Sequence, residues 1–120
     1  MIEVFFEKDY NVLVRFAPPL GVDIAEDSEG MLMREGGGII GMAVWRRTPI
    51  AADIYAVGAP DKYGAYYDLL FRSSLNHIIS RAEQITVADV HDYYIPLGFA
   101  ADGGKMKAMT ADIKFPHYCK

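Results

Sequence analysis

The chain has 120 residues, enough for one domain with a modest core, and 52% of them are hydrophobic against 23% charged. This balance excludes a disordered chain, and no apolar run approaches the roughly 20 residues that a membrane helix needs. The net charge of -4, with scattered lysines and arginines, argues against a nucleic-acid-binding surface. With Cys119 as the single cysteine and no signal-peptide pattern, we expect a cytoplasmic protein without an internal disulfide.

The N-terminal part of the chain predicts a β-hairpin followed by a loop. Residues 2–6 and 12–16 are rich in β-branched and aromatic side chains, and residues 7–11 between them are turn-like. Two prolines, Pro18 and Pro19, end the second strand because proline cannot donate to a ladder. Residues 20–29 predict a loop or at most one helical turn.

A second hairpin and a central strand follow. Residues 31–34 and 39–45 read as strands joined by three glycines, which supply the positive φ that the turn needs. Gly41 interrupts the second of these strands, which often marks a bulge or a close approach. Residues 50–57 carry small apolar side chains on both faces, as a central strand does.

The period then changes to that of a helix. From Asp61 to Ala82 the apolar residues recur at spacings of three and four, and Pro60 and Asp61 are good helix-start residues. Residues 84–90 predict the next strand, residues 100–104 a turn, and residues 105–113 a last strand. One helix face then carries Tyr67, Leu70, Phe71, Leu75, Ile78, Ile79 and Ala82.

This order predicts an α/β (α+β) fold, with a mixed, mostly antiparallel sheet, one long helix and a β-α-β crossover. The crossover implies a parallel strand pair with a right-handed connection. Ligands of such sheets bind beyond the carboxyl ends of the strands, here near residues 57–64 and 90–94. We treat residues 1–120 as one domain, with an atypical N-terminal hairpin and loop at 1–29 and a core at 30–113.

Three stretches of that core resemble the GCN5-related N-acetyltransferase (GNAT) superfamily, whose fold is that of the acyl-CoA N-acyltransferases. Residues 29–47, EGMLMREGGGIIGMAVWRR, resemble its second and third strands, and residues 54–70, IYAVGAPDKYGAYYDLL, its fourth strand and third helix. Residues 92–99, DYYIPLGF, resemble its signature ending in Tyr-x-x-Leu-Gly-Phe. The resemblance implies an N-acetyltransferase that moves an acetyl group from acetyl-CoA to an amine.

The resemblance also implies roles for individual residues. Tyr94 matches the tyrosine whose hydroxyl serves the departing thiolate, and a phenol suits a general acid. Asp53 on the fourth strand is the candidate general base, with Asp92 or His91 as alternatives and a structural role for Asp53 equally open. The residues expected to hold acetyl-CoA are Tyr55, Ala56, Val57, Lys62, Tyr63, Gly64 and Ala65.

Two departures from the family pattern keep a second interpretation open. In the coenzyme loop Asp61 stands where a cation or amide is usual, and Tyr66 stands where a small residue is usual. A catalytically degenerate GNAT-fold protein, acting as an interaction, regulatory or ligand-sensing module, is therefore the alternative, with Tyr93 and Tyr94 only packing.

The family's acceptor-side helices and the final strand of its C-terminal hairpin are also not apparent, which predicts a homodimer. His77 is expected to face solvent, and His117 with Cys119 is too small a set for a metal site.

Overall fold

The computed structural model describes residues 1–116 as a seven-stranded sheet with a helix on each face. Strands β4 and β5 are parallel and every other neighbouring pair is antiparallel, so the predicted mixed sheet and crossover are confirmed. The helices are α1 (Tyr10–Phe16) and α2 (Ala65–Ile78). The strands are β1 (Ile2–Glu7), β2 (Ser28–Glu35), β3 (Gly38–Arg47), β4 (Ala51–Gly58), β5 (Gln84–Val87), β6 (Ala100–Asp102) and β7 (Lys105–Met109), in the order β1-β2-β3-β4-β5-β7-β6.

The two faces of the sheet have separate cores. Alternate residues of a strand point to opposite faces, so Trp45 and Ile54 pack under α2 whereas Val44 packs with Leu13 of α1. The ladder between β2 and β3 shifts register beside Gly41, which confirms the irregularity expected there. Because α1 has only seven residues, its core is the smaller one.

The predicted N-terminal hairpin is wrong, because residues 12–16 belong to α1. Asp9 caps this helix by accepting a hydrogen bond from the backbone N–H of Asn11 at 2.9 Å. Leu13 is fully buried against the sheet. The valines of α1 lower its helix propensity by only a few tenths of a kcal/mol each, so the burial of one helix face outweighs them.

Other boundaries also differ from the sequence-based prediction. Helix α2 runs from Ala65 to Ile78 and not from Asp61 to Ala82. Strand β5 already ends at Val87, and β7 ends at Met109, before the predicted end at residue 113. The predicted turn at residues 100–104 contains β6, which pairs with β7. The C-terminal hairpin that the sequence did not reveal is therefore present within residues 1–116.

His77 is not the solvent-facing residue that the sequence predicted. Its ring is half-buried and stacks on Phe6 with the ring centroids 4.0 Å apart, and its Nε2 atom has no hydrogen-bond partner. Burial, and then the positive charge of Arg81, lower the pKa of His77 below its usual range. Glu29 and Arg47 are the other charged groups that act on it.

We therefore expect stability to fall as the pH drops below about 6.5, the ordinary histidine pKa. In this window the unfolded chain binds a proton that the folded chain does not, and the free energy of unfolding decreases. Urea unfolding of the wild type between pH 7 and pH 5 should show this slope. A His77→Phe variant, which keeps a ring on Phe6, should show a flatter profile; an equal slope in both proteins would contradict the assignment.

Candidate active site at the parting of two parallel strands

The parallel strands β4 and β5 separate towards their carboxyl ends. Their ladder runs from the pair Ala51 and Gln84 to the pair Ile54 and Val87, and its last hydrogen bond joins the Ala88 N–H to the Ile54 carbonyl at 3.1 Å. Residues 55–58 of β4 continue alongside β3 alone. The edge of β4 that faces β5 is therefore open over these residues.

A bulge in β4 lies at the start of this opening. The register with β3 shifts there, so that Tyr55 has no partner of its own. The Tyr55 hydroxyl accepts a hydrogen bond from the Ala25 N–H at 3.0 Å and shares one with the Ser28 hydroxyl at 2.6 Å. The side chain of Tyr55 thus ties the loop before β2 to the strand, and its backbone remains at the opening.

A cavity of about 270 Å³ occupies the space between the separated strands. A second cavity of about 300 Å³ shares Leu20, Val57, Lys62 and Tyr67 with it. Together they form a cleft from the sheet to the start of α2. The first cavity is lined by Leu20, Gly21, Val22, Tyr55, Ala56, Val57, Lys62, Tyr67, Ala88 and Asp89.

The N-terminus of α2 is capped from within the chain. The carboxylate of Asp61 accepts hydrogen bonds from the N–H groups of Tyr66 at 3.1 Å and Tyr67 at 3.0 Å. A Cβ atom on Gly64 would lie 2.4 Å from Asp61 Oδ2, so only glycine fits beside this carboxylate. Two of the N–H donors that a helix start offers to an anion are therefore occupied by Asp61.

Two tyrosines donate hydrogen bonds to one carboxylate next to the cleft, and a third tyrosine is hydrogen-bonded to one of them. Tyr63 donates a hydrogen bond to Asp89, and Tyr94 donates to the same group at 2.8 Å and 3.0 Å from its two oxygens. Tyr67, which lines the cleft, is hydrogen-bonded to the Tyr94 hydroxyl. Because Tyr94 gives its proton to Asp89, Tyr67 is the donor between the two tyrosines.

Burial is the main influence on the pKa values of these tyrosines. It raises the pKa of Tyr67 to about 12. Burial also raises the pKa of Tyr94 well above its usual range, and the hydrogen bonds with Tyr67 and Asp89 add to this effect. The pKa of Tyr63 is raised in the same direction, by burial and by Asp89. All three phenols are therefore protonated at neutral pH and act as hydrogen-bond donors.

Asp53 lies on the other face of the sheet from the tyrosines. Its neighbours Ala52 and Ile54 pack under α2 in the cluster that contains Tyr94, so the side chain of Asp53 points away from α2. It accepts hydrogen bonds from Thr86 Oγ1 at 2.7 Å and Lys105 Nζ at 3.4 Å. The structure thus does not bring the two predicted catalytic side chains, Asp53 and Tyr94, together on one face.

The alternative bases occupy neither the cleft nor the surroundings of Asp53. His91 caps the 3-10 helix Asp92–Leu97 by accepting a hydrogen bond from the Tyr93 N–H at 2.9 Å, and its ring stacks on Tyr63. Asp92 is exposed and lines a separate small cavity with His91. His117 and Cys119 lie outside the described residues. Within residues 1–116 no group of three or more potential ligands could hold a metal ion.

Sequence reasoning identified four of the ten residues that line the first cavity and missed the carboxylate that lines it, Asp89. Tyr55, Ala56, Val57 and Lys62 line the first cavity as expected, whereas Tyr63, Gly64 and Ala65 stand beside it. The sequence places Asp89 inside the predicted strand 84–90, whereas the observed strand β5 ends two residues before it, at Val87. An acidic residue at the end of an apolar run, ITVADV, is the signal that could have identified it.

The sequence matches no protein-family model and no curated protein sequence. Solved structures do match the fold. An N-acetyltransferase from Staphylococcus aureus Mu50 aligns with a TM-score of 0.68 at 13% identity, over 92% of this chain and 99% of that one. The ribosomal-protein-S18-alanine N-acetyltransferase from Escherichia coli aligns with 0.67 at 8% identity, over 100% and 99%.

A GNAT family acetyltransferase from Elizabethkingia anophelis with acetyl-CoA bound is also similar. It aligns with a TM-score of 0.62 at 9% identity, over 90% of this chain and 97% of that one. The chain therefore has the fold of the GCN5-related N-acetyltransferases, as its sequence predicted. No helix of the described residues 1–116 is long and apolar enough to span a membrane.

Proposed function

We propose that this chain is an N-acetyltransferase that moves an acetyl group from acetyl-CoA to an amine. The observation that carries the proposal is the parting of β4 and β5 beyond Ile54 and Val87. The open edge at residues 55–58 offers backbone N–H and C=O groups to the amides of a pantetheine arm, and the cavity beside it is about 270 Å³. Lys62, exposed and lining both cavities, is the cation nearest to a phosphate entering there.

Residues on the two faces of the sheet serve different groups of the reaction: one face serves the acceptor amine and the other the departing thiolate. Acetyl-CoA would supply the activated acetyl thioester. Asp53 takes the proton that the acceptor nitrogen loses as its bond to the acetyl carbon forms. On the α2 side, Tyr67 donates a hydrogen bond to the thiolate set free when the C–S bond breaks, after its hydroxyl has turned away from Tyr94, to which it donates in this structure. Full proton transfer from a phenol with a raised pKa to a thiolate with a pKa near 8.5 is unfavourable, so we assign Tyr94 a supporting role.

The first test is the melting temperature in the presence of acetyl-CoA. A ligand that binds only the folded chain stabilises it by about 2.7 kcal/mol at 100 times its dissociation constant. We expect the melting temperature to rise with acetyl-CoA concentration and to be unaffected by free acetate. An unchanged melting temperature at millimolar acetyl-CoA would contradict the proposal.

The capped start of α2 favours a second candidate, a GNAT-fold module without catalysis. A diphosphate at this helix start would have to displace Asp61 and would meet its negative charge. If the chain is an acetyltransferase, we expect the Asp61→Asn variant to bind acetyl-CoA roughly fivefold more tightly than the wild type. This is about the effect of removing one nearby negative charge in water. Calorimetric titration measures this, with the exposed Asp102→Asn as control. If neither the wild type nor Asp61→Asn binds, the degenerate module is the better account.

A homodimer and a cytoplasmic location stay predictions. One reason given for the dimer, a missing C-terminal hairpin, no longer applies because β6 and β7 form that hairpin. β1 and β6 are the two edge strands of the sheet within residues 1–116. Sedimentation at high protein concentration would distinguish a dimer from a monomer.

A further inference from the structure

A row of polar side chains crosses the sheet on the face opposite α2. Side chains directly opposite each other on neighbouring strands have Cβ atoms about 5 Å apart, so each member of such a row is within reach of the next one. The row passes through Asp53, the proposed base, and continues on both sides of it. Its members, one from each of five adjacent strands, are Ser28, Arg46, Asp53, Thr86 and Lys107.

A cavity of about 390 Å³ lies beside two members of this row, Arg46 and Asp53. Arg46 and Asp53 are both in its wall, together with Asp27. Arg47 also lines it, but its guanidinium already holds Glu29, with Arg47 Nε and Glu29 Oε1 3.1 Å apart. The charged groups of the cavity that remain open to a ligand are thus one guanidinium and two carboxylates.

Arg46 and Asp53 stand directly opposite each other but do not form an ion pair. Asp53 turns instead to Thr86 and Lys105, at 2.7 Å and 3.4 Å. Within residues 1–116 Arg46 has neither an ion pair nor a hydrogen bond. An exposed arginine without a partner is common on protein surfaces. Here, however, it lines a cavity with the group that would accept the proton of the acceptor amine.

We propose that the acceptor is a small α-amino acid, which binds with its ammonium group at Asp53 and its carboxylate at Arg46. The ammonium loses one proton to solvent before the free amine attacks, and Asp53 takes the second proton as the bond to the acetyl carbon forms. This inference rests on the proposed function, because that function places the acceptor at Asp53. Arginine binds a carboxylate through two parallel N–H donors, and the α-amino acid carries its two charges side by side, as the Arg46 and Asp53 pair does.

Other acceptor classes fit this cavity less well. A simple alkylamine leaves the guanidinium of Arg46 without a counter-charge. A polyamine could place a second cation at Asp27, but it also leaves Arg46 without a counter-charge. A peptide N-terminus has an amide where the amino acid has its carboxylate, and so loses the charge-assisted pair with Arg46. The comparison of an amino acid with its own amide therefore isolates the feature that Arg46 recognises.

The test measures thiol release from acetyl-CoA with each of the common L-amino acids beside its amide. We expect at least one amino acid to have a kcat/KM about 10- to 100-fold above that of its amide, the range for a hydrogen bond to a charged group. Arg46→Gln should bring this ratio to about 1, and Arg46→Lys should give an intermediate ratio. Arg15→Gln, an exposed arginine on α1, should keep the wild-type ratio. Amides used as well as amino acids, or an unchanged ratio in Arg46→Gln, would overturn the inference.

A binding measurement separates this inference from the proposed function. The Nε–H resonance of Arg46 in ¹⁵N-labelled protein is followed as the same amino acids and amides are added without acetyl-CoA. A shift with an amino acid and none with its amide supports the Arg46 site even if no acetyl transfer is found, in which case only the proposed function fails. The absence of any shift, in a protein that does transfer acetyl groups to amines, overturns the Arg46 site alone. The absence of both shift and transfer overturns both.

Discussion

Replacing Asp53 by Asn should lower kcat for acetyl transfer by about 100- to 10,000-fold, the usual contribution of a general base. Asparagine has the same shape and can still accept the hydrogen bond from Thr86, but it cannot take up the proton of the amine. Asp53 lies on the sheet face away from α2, so acetyl-CoA binding in the cleft should keep its wild-type dissociation constant. Steady-state kinetics and calorimetry on the same preparation measure the two quantities.

A second variant separates the charge of Asp53 from its orientation. Thr86→Val removes the hydroxyl that lies 2.7 Å from Asp53 Oδ1 and leaves the carboxylate in place. Its kcat should fall by less than that of Asp53→Asn. Wild-type kcat in Asp53→Asn would exclude Asp53 as the base and would leave solvent water to accept the proton.

The largest expected effect on stability is at Asp89. Each of the hydrogen bonds that Tyr63 and Tyr94 donate to this carboxylate is of the charged kind, which contributes about 1.5–3 kcal/mol. In Asp89→Asn the amide oxygen can still accept one of these hydrogen bonds. The NH₂ group is a donor, however, and cannot accept a hydrogen bond from the other tyrosine hydroxyl. We expect the free energy of unfolding to fall by about 2–3 kcal/mol, measured as a lower urea midpoint at an unchanged slope.

The neighbouring Asp92 offers a matched control for this variant. It is exposed and three residues away on the same connection, so Asp92→Asn should change the free energy of unfolding by less than about 0.5 kcal/mol. Equal stability of Asp89→Asn and Asp92→Asn would mean that the tyrosine cluster does not depend on a shared carboxylate.

The parts of the fold that the sequence predicted are those with a local signal. Three consecutive glycines between apolar runs specify the hairpin of β2 and β3, and apolar spacings of three and four specify α2. Residues 12–16 are predicted wrongly as a strand because valine and phenylalanine favour strands locally. Their helix is selected by the cap at Asp9 and by the burial of Leu13, and only the tertiary structure shows that burial.

The candidate site was predicted in its outline but not in its connections. The family resemblance located residues 55–57 and Tyr94, whereas the contact of Tyr94 with Tyr67 joins residues 27 positions apart. No spacing rule indicates such a contact. The same holds for Arg46 and Asp53, which are neighbours only because the bulge at Tyr55 sets the register of β3 and β4. Long-range register and buried polar networks are therefore what the structure adds to the sequence.

The central claim is that acetyl-CoA lies in the opening between β4 and β5. Amide chemical shifts of ¹⁵N-labelled protein, followed during titration with acetyl-CoA, test this claim directly. The account predicts the largest changes at residues 55–58 and at Ala88 and Asp89, where the two strands part. Changes confined to other surfaces, or no changes at millimolar acetyl-CoA, would contradict it.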